Sequence, residues 1–333
     1  MNERYDLRKE IAGLDRTDFD SVALKVYRYQ YATNPLYKKF VELLKKSEDF
    51  RPTDVSEIPF LPISFFKTHQ IQSGVWKEQS AYKSSATTGM TRSTHFVRDD
   101  EWYLSLAQKS YEKVYGPLSN QVFFALLPGY IERGDSSLVA MAAHFIKETS
   151  NPLSGFYLHD FEALLESIKK ARESKKQIVL LGVSYALYQL AGQDLDFSDL
   201  VIMETGGMKG IGPEMPKLAF HDYLRKGMNL NSVHSEYGMT ELLSQAYSVG
   251  NGIFNPSGLM DIYISELTDP LSWMQDGKGG VVNVIDLANL DTCSFIQTED
   301  MGIRYDDGSF QLLGRVDAAE IRGCNLLASD LAL

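Results

Sequence analysis

The sequence is poor in the residues that build disulfide scaffolds and metal sites. Its 333 residues include two cysteines, Cys293 and Cys324, and six histidines, none of which forms an HxxxH pair. Two cysteines cannot make a disulfide framework or a cysteine-rich zinc site, and such a composition is typical of proteins in a reducing compartment. We therefore expect a cytoplasmic protein whose chemistry does not depend on a histidine or cysteine metal centre.

Long apolar runs and an excess of positive charge are also lacking. No run approaches the roughly 18 apolar residues of a membrane-spanning helix, and the most apolar stretches, VFFALLPG and IVLLGV, have the length of strands. The first residues, MNERYDLRKEIAG, are charged and do not contain the apolar core of a signal peptide. The net charge of −11 would repel nucleic acid and anionic membranes. We expect no nucleic-acid partner and no membrane span.

Helical and extended patterns divide the chain into three predicted regions. Residues 1–78 have mainly helical periodicity, whereas residues 79–250 alternate strands such as QIVLLGV with amphipathic helices such as DFEALLESIKKARE. Residues 251–333 contain short strands separated by Gly and Asp turns. The alternation predicts an α/β fold with a mainly parallel sheet flanked by helices, followed by a smaller C-terminal β-rich subdomain.

Several common active-site signatures do not fit. The sequence contains no GxxxxGK[ST] phosphate loop, and GGMKGIG does not satisfy the GxGxxG dinucleotide pattern. GVSYA, at residues 182–186, comes close to the GxSxG turn of hydrolases. Such a hydrolase would use Ser184 as nucleophile, with Asp199 or Asp222 as the acid and His221 or His234 as the base. A Ser that is the N-cap of a helix at an ordinary strand-to-helix turn explains the same pattern, and the sequence favours that interpretation.

A hydroxyl-rich loop is the first segment that indicates binding chemistry. SSATTGMTR, at residues 84–92, combines Ser and Thr hydroxyls with a Gly and ends in the cation Arg92. Hydroxyls, backbone N–H groups and a nearby guanidinium can together surround phosphate oxygens. Three later segments follow predicted strands or turns: SEYGMTE at 235–241, IQTEDMG at 296–302 and LLGRVDAAEIRG at 312–323. By itself the loop is also compatible with a solvated surface turn.

In this order, the four segments resemble the core motifs of the adenylate-forming superfamily of acyl and aryl ligases. SSATTGMTR is similar to the phosphate loop SGTTGxPK, YGMTE matches YGxTE in full, TED resembles TGD, and GRVDAAEIRG resembles the hinge motif GRxDxxIKxxG. TGGMKG, at 205–210, stands where the adenine-side Gly pair of the superfamily would fall. The modest length, PISFFK and RGCN are most similar to the acyl-protein synthetases of the LuxE type. Phenylacetate–CoA ligase-like enzymes are the second resemblance.

The resemblance implies ATP-dependent activation of a carboxylic acid as an acyl-adenylate and transfer of the acyl group to a thiol, and the expected acid is a fatty acid. It implies that Glu241 binds Mg²⁺ and that Thr240 contacts the α-phosphate. It also implies that Asp300, beside Arg315, accepts hydrogen bonds from the ribose hydroxyls. The remaining nucleotide contacts it implies are Ser84, Ser85, Thr87, Thr88, Gly89 and Arg92 at the phosphates and Gly206, Gly207, Tyr237 and Gly238 near adenine. An acyl-acceptor or reductase protein is an expected partner.

The sequence departs from the superfamily pattern in two respects. Ala86 replaces a Gly of the phosphate loop, and Arg92 replaces the usual Lys. Full-size members also carry a C-terminal lid domain with a catalytic Lys after the hinge, which we expect to be absent here. The acyl-protein synthetases pass the acyl group through a cysteine near the C-terminus, and Cys324 fits this role as well as that of a small buried residue. Transfer to coenzyme A or a carrier protein, and a nucleotide-binding subunit with impaired catalysis, remain as alternatives.

Overall fold

The computed structural model describes residues 3–45, 47–85, 91–129, 131, 134–158, 160–207 and 215–316. Within these residues the α-helices are α1 (Glu3–Ala12), α2 (Phe19–Thr33), α3 (Pro35–Lys45), α4 (Phe65–Thr68), α5 (Asp100–Tyr115), α6 (Ser137–Thr149), α7 (Phe161–Glu173), α8 (Ser184–Ala191) and α9 (Lys217–Met228). The strands are β1 (Leu61–Pro62), β2 (Ser80–Lys83), β3 (Thr94–Val97), β4 (Gln121–Leu126), β5 (Gly155–Tyr157), β6 (Gln177–Val183), β7 (Leu200–Thr205), β8 (His234–Tyr237), β9 (Ala246–Ser248), β10 (Ile253–Pro256), β11 (Met260–Ser265), β12 (Gly279–Asp286), β13 (Phe295–Arg304) and β14 (Phe310–Arg315).

Contacts within the chain define two compact units. As far as they are described, the first unit consists of Met1–Tyr103, Glu241–Ser244 and Asn255–Leu333, and the second consists of Leu104–Thr240 and Gln245–Phe254. The regions predicted from the sequence, 1–78, 79–250 and 251–333, divide the chain by pattern rather than by contacts, and they stay a prediction.

The second unit contains the parallel sheet. Strands β5, β4, β6, β7 and β8 pair in parallel in that order, and β9 pairs antiparallel with β8. Every residue of β4 is buried, as are all residues of β6 except the first. A strand covered on both faces needs a continuous apolar sequence, which explains why VFFAL and IVLLGV show no alternation. The carboxyl ends of β6, β7 and β8 therefore lie side by side.

The first unit combines the N-terminal helices with antiparallel strands. Strands β11, β12, β13 and β14 pair antiparallel in that order, and β1 pairs in parallel with β13. Strands β2 and β3 form a separate antiparallel pair. Helix α2 buries Phe19, Val22 and Val26 on one face, as its 3.6-residue periodicity requires.

These elements confirm the predicted α/β fold class. The mainly parallel sheet lies in the second unit, and the β-rich part after residue 250 is found as β10 to β14. Among the described residues, no helix combines the length and the apolar content needed to cross a membrane.

Candidate nucleotide- and acyl-binding site

The two ends of the predicted phosphate loop are held together in the first unit. The backbone N–H of Ser84 donates to the carbonyl of Ser93 at 3.0 Å, and the N–H of Ser93 donates to Ser84 Oγ at 2.9 Å. Arg92 donates from Nε to the carbonyl of Ser84 at 2.5 Å and from Nη2 to the carbonyl of Lys83 at 3.2 Å. Arg92 thus closes the base of the loop. Thr87, Thr88 and Gly89 lie outside the described residues, whereas Ser85 is described and exposed.

Glu241, the predicted Mg²⁺ ligand, lies against this loop. Its side chain is buried, and Ser93 donates a hydrogen bond to its carboxyl group. Burial raises the pKa of Glu241, while the Ser93 hydrogen bond and the positive charges of Arg315 and Lys67 oppose the increase. A buried carboxyl group near the positive charges of Arg315 and Lys67 can serve as a ligand for a divalent cation, because Mg²⁺ prefers carboxylate oxygens.

A charged cluster stands where the last residue of β14 pairs with the middle of β13. Asp300 and Arg315 are register partners, and Arg315 Nε lies 3.5 Å from Asp300 Oδ1. Glu299 is 3.4 Å from both Arg315 Nη2 and Lys67 Nζ. The structure therefore brings the predicted ribose pair, Asp300 and Arg315, into contact and adds Lys67 and Glu299 to it.

Three of these residues were not predicted as site residues. Lys67 is the last residue of PISFFK and Glu299 is the middle residue of TED, so both were inside recognised segments. Ser93 follows the phosphate loop by one residue and carries no signal of its own. Their role becomes visible only because the chain returns to the same place from four distant segments.

The described residues could hold a magnesium ion that is bound partly by the protein and partly by phosphate. They fit a metal centre made of protein ligands alone less well. They contain no group of three or more His, Cys, Asp or Glu side chains placed to hold a metal. Mg²⁺ commonly takes one or two carboxylates and completes its coordination with substrate phosphates and water. The single carboxyl group of Glu241, next to the base of the phosphate loop, fits that pattern.

The predicted adenine-side residues lie in the second unit. Gly206 has φ +70°, a left-handed conformation that favours Gly, and Gly207 follows it as an exposed residue. Tyr237 is buried, with its ring 6.0 Å from that of Phe254 in an edge-on arrangement. Thr240 is half-buried. A Cβ on Gly238 would lie 2.4 Å from Glu236 Oε1, so a larger residue at this position would displace the end of the Glu236 side chain.

In the part of the chain that the structure describes, Ser184 makes no hydrogen bond to His221 or His234, the candidate bases of the less favoured hydrolase alternative. Its hydroxyl lies 3.2 Å from Glu204 Oε2 and 3.1 Å from the carbonyl oxygen of Gly206. Asp199 is paired with Arg172 and Asp222 with Arg225, both near the surface. Ser184 therefore supports the turn after β7. It lies at a strand-to-helix turn, as expected, but it is the first residue of α8 and not the N-cap, which is Val183 and makes no side-chain cap bond.

Of the two cysteines, only Cys293 lies within the described residues. Cys293 is fully buried, its thiol donates to the carbonyl of Phe295 at 3.4 Å, and burial raises its pKa to about 12. It is a structural residue, as predicted. Cys324 lies outside the described residues, and its role as acyl carrier stays a prediction.

Comparison with known proteins agrees with these features. The family model described as acyl-protein synthetase, LuxE, matches residues 135–332. The long-chain-fatty-acid–luciferin-component ligase of Vibrio harveyi is 23% identical over 342 residues, which cover 91% of this chain and 85% of that protein.

Solved structures with the same fold are adenylate-forming ligases. ATP-bound MatB from Rhodopseudomonas palustris has a TM-score of 0.55 at 15% identity and covers 81% of this chain and 50% of its own. A long-chain-fatty-acid–CoA ligase from Archaeoglobus fulgidus has a TM-score of 0.53 at 16% identity, with coverage of 86% and 57%. The chain thus spans about half the length of the solved structures it matches. At these identities the likeness shows the fold, while the family model covers more than half of the sequence: the chain belongs to the LuxE family of acyl-protein synthetases.

Proposed function

We propose that this protein uses ATP to activate a fatty acid as an acyl-adenylate and then transfers the acyl group to a protein thiol. The observation that carries the proposal is the position of Glu241, the last residue of YGMTE, against Ser93 at the base of the phosphate loop. Family membership and the adenylate-forming fold support it. The name of the Vibrio harveyi relative supports a long-chain fatty acid as substrate and a component of a larger enzyme system as acceptor.

The proposed reaction has two steps. The carboxylate of the acid, ionised at neutral pH, attacks the α-phosphorus of ATP, an acyl-adenylate forms, and pyrophosphate leaves. A thiolate then attacks the acyl carbon, a thioester forms, and AMP leaves. Mg²⁺ bound at Glu241 would neutralise charge on the phosphate oxygens. Ser84, Ser85 and Arg92 would hold the phosphate end of ATP.

The other proposed contacts follow from the motifs and their surroundings. Asp300 would accept hydrogen bonds from the two ribose hydroxyls. Arg315 would orient the Asp300 carboxylate, since its Nε lies 3.5 Å from Asp300 Oδ1. Thr240 would contact the α-phosphate, and Tyr237 with Gly206 and Gly207 would contact adenine. Lys67 and Arg315 supply positive charge near Glu241. Cytoplasmic location stays a prediction from the cysteine content.

The first experiment measures pyrophosphate release by the purified protein with ATP, Mg²⁺ and a panel of fatty and aryl acids, with hydroxylamine present to trap activated acyl groups. We expect acid-dependent release that is largest for a fatty acid and falls at least about 100-fold in Glu241→Gln, because one transition-state charge contact contributes about 3 kcal/mol or more. Glu48→Gln is the matched control, since Glu48 is an exposed carboxyl of the same unit. ATP binding without release for any acid would instead favour the impaired nucleotide-binding subunit.

The second experiment locates the acyl acceptor. After incubation with ATP and a labelled fatty acid, peptide mass spectrometry should find a hydroxylamine-sensitive adduct on Cys324 that disappears in Cys324→Ser. Cys293→Ala should keep the adduct, because Cys293 is buried and its raised pKa disfavours a thiolate. Formation of acyl-coenzyme A without any protein adduct would show that the thiol acceptor is the cofactor.

A further inference from the structure

Two buried carboxyl groups lie on neighbouring strands of the second unit, and none of the recognised motifs assigns them a role. Glu204 lies on β7 and Glu236 on β8, and their side chains are almost wholly buried. The register pairs Glu204 with Ser235, which places Glu236 next to Thr205. Burying one carboxylate costs several kcal/mol unless it is paired, so two at one point of a sheet need an explanation.

Glu204 is the charged member of the pair. Lys217 Nζ lies 2.8 Å from Glu204 Oε1, and His221 Nε2 lies 3.4 Å from the same oxygen. Burial by itself would raise the pKa of Glu204, but Lys217 and the hydrogen bonds around the carboxylate outweigh burial and lower the pKa to about 2. Lys217 also stands 4.5 Å from the centre of the Phe254 ring, which in turn packs against Tyr237.

Glu236 connects the two segments that would contact adenine. Thr205 Oγ1 donates to Glu236 Oε2 at 2.5 Å, and Thr205 is followed directly by Gly206 and Gly207. Glu236 Oε1 occupies the space that a side chain at Gly238 would need. This carboxyl group thus bonds to the last residue of β7 and lies beside the first turn residue after β8.

The polar groups around Glu236 do not fully offset the cost of burying its charge. Burial raises its pKa to about 7, with the negative charge of Glu204 adding to the shift and Thr205 and Lys217 opposing it. Tyr115 is the other titratable group that interacts with it. A pair of well-packed apolar side chains would be about as stable at such a position, so stability alone does not account for Glu236.

We propose that Glu236 is a positioning residue for the nucleotide: its hydrogen bond with Thr205 ties the end of β7 to the end of β8 and so sets the spacing between residues 206–207 and Gly238, which would receive adenine. Ser184, the first residue of α8, supports the same arrangement through Glu204 and the carbonyl of Gly206. The inference rests on the proposed function, because it assigns these loops to ATP. It predicts an effect on ATP affinity rather than on the chemical step, which depends on Glu241 and the phosphate loop.

The test is steady-state pyrophosphate release at varied ATP with saturating fatty acid. Thr205→Val removes the hydroxyl but keeps the shape, and we expect KM for ATP to rise about tenfold with kcat within about twofold, as the loss of a charged hydrogen bond implies. Thr205→Ser keeps a hydroxyl and should restore KM to within about twofold of the wild-type value. Glu236→Asp draws the carboxyl group away from Thr205 and should raise KM for ATP as Thr205→Val does. It replaces Thr205→Val as the test variant if Thr205→Val does not fold.

Thr149→Val is the matched control. Thr149 is an equally buried threonine of the same unit, and its hydroxyl bonds to Ile146 and Ser154 at the end of α6. It should lose thermal stability without a change in KM for ATP. The inference is overturned if Thr205→Val and Glu236→Asp lower the melting temperature but leave KM for ATP unchanged in an active enzyme. A wild-type protein without any acid-dependent pyrophosphate release would overturn the proposed function itself and this inference with it.

Discussion

At the scale of single residues, the buried carboxyl group of Asp286 organises the segment that follows Glu241. It accepts hydrogen bonds from the N–H of Leu243 at 2.7 Å, from the N–H and hydroxyl of Ser244 at 3.0 and 2.6 Å, and from the N–H of Ala288 at 3.0 Å. Asn289 adds a bond from Nδ2 to the carbonyl of Glu241 at 2.8 Å. The backbone around Glu241 is therefore held by side chains from β12 and the turn after it.

We predict that Asp286→Ala lowers the free energy of unfolding by about 2–4 kcal/mol, because several buried donors lose their acceptor at once. Urea denaturation followed by circular dichroism measures the change. Ser244→Ala removes one of these bonds and should cost only about 1 kcal/mol. A loss below about 1 kcal/mol for Asp286→Ala would contradict this account.

The pKa of Glu236 leads to a second prediction at this scale. In the folded protein its pKa is raised from 4.5 to about 7, so the folded state holds the proton more tightly than the unfolded state. The protonated carboxyl favours folding below the unfolded pKa, and that contribution is lost as pH rises through about 7. Glu236→Gln cannot ionise, so its melting temperature should rise relative to that of the wild-type protein between pH 5 and pH 8.

Differential scanning fluorimetry of both proteins across this pH range tests the sign. Glu204 works in the opposite direction, because its pKa is lowered to about 2, and its contribution is lost only as pH falls from about 4.5 towards 2. It therefore does not interfere above pH 5. A constant difference in melting temperature between the two proteins would show that Glu236 does not titrate in this range.

At the scale of single residues, motif analysis identified some residues of the site and missed others. Tyr237, Gly238 and Glu241 were selected because YGMTE is a contiguous pattern. Lys67 lies in PISFFK and Glu204 precedes TGGMKG, but neither was selected, because neither segment indicates the ion-pair partner, which lies more than ten residues away. Their roles depend on ion pairs that exist only after folding.

At the scale of the element, local periodicity predicted much of the structure. The stripe of apolar residues in DFEALLESIKKARE gives α7, which buries Leu164, Ile168 and Ala171. Asp160 caps this helix by accepting from the N–H of Ala163 at 2.9 Å, as expected for a helix start. What periodicity could not supply is the contact between elements, such as the approach of α8 to α9.

That approach depends on Gly227, near the end of α9. A Cβ at Gly227 would overlap the backbone carbonyl oxygen of Ala191, the last residue of α8, and backbone cannot move aside as a side chain can. We predict that Gly227→Ala lowers the free energy of unfolding by about 1–3 kcal/mol through overpacking, although Ala is the better helix former by about 1 kcal/mol.

Gly155→Ala is the control for this prediction. Gly155 lies in β5, and the nearest atom to an added Cβ is on the Tyr157 ring at 4.0 Å. This variant should therefore be about neutral or slightly stabilised, since Ala reduces the freedom of the unfolded chain. Equal stability of the two variants in thermal or urea denaturation would argue against a tight contact between α8 and α9.

At the scale of the whole molecule, ligand binding should appear as added stability. A ligand that binds only the folded state adds about 2.7 kcal/mol at a concentration of 100 Kd. We predict that ATP with Mg²⁺ raises the melting temperature of the protein by a few degrees. Removal of the metal with a chelator should abolish most of the increase.

Glu241→Gln provides the control for the metal. It should keep the small shift caused by ATP alone and lose the part that depends on Mg²⁺, because it removes the carboxylate proposed as ligand. The Glu48→Gln variant should behave as the wild-type protein does. A wild-type melting temperature that does not respond to millimolar ATP would contradict the proposed nucleotide site.

The sequence by itself determined the fold class, the family and the motifs, because these depend on hydrophobic periodicity and on short contiguous patterns. It indicated a phosphate loop, YGMTE, TED and the GRVD segment without saying how they are held. The tertiary structure alone decided that Ser93 and Asp286 support the segment around Glu241, and that Glu236 bonds to Thr205 across the neighbouring ends of β7 and β8. These contacts join residues distant along the chain, and the cost of burying a charge or a polar group selects their partners only once the chain has folded.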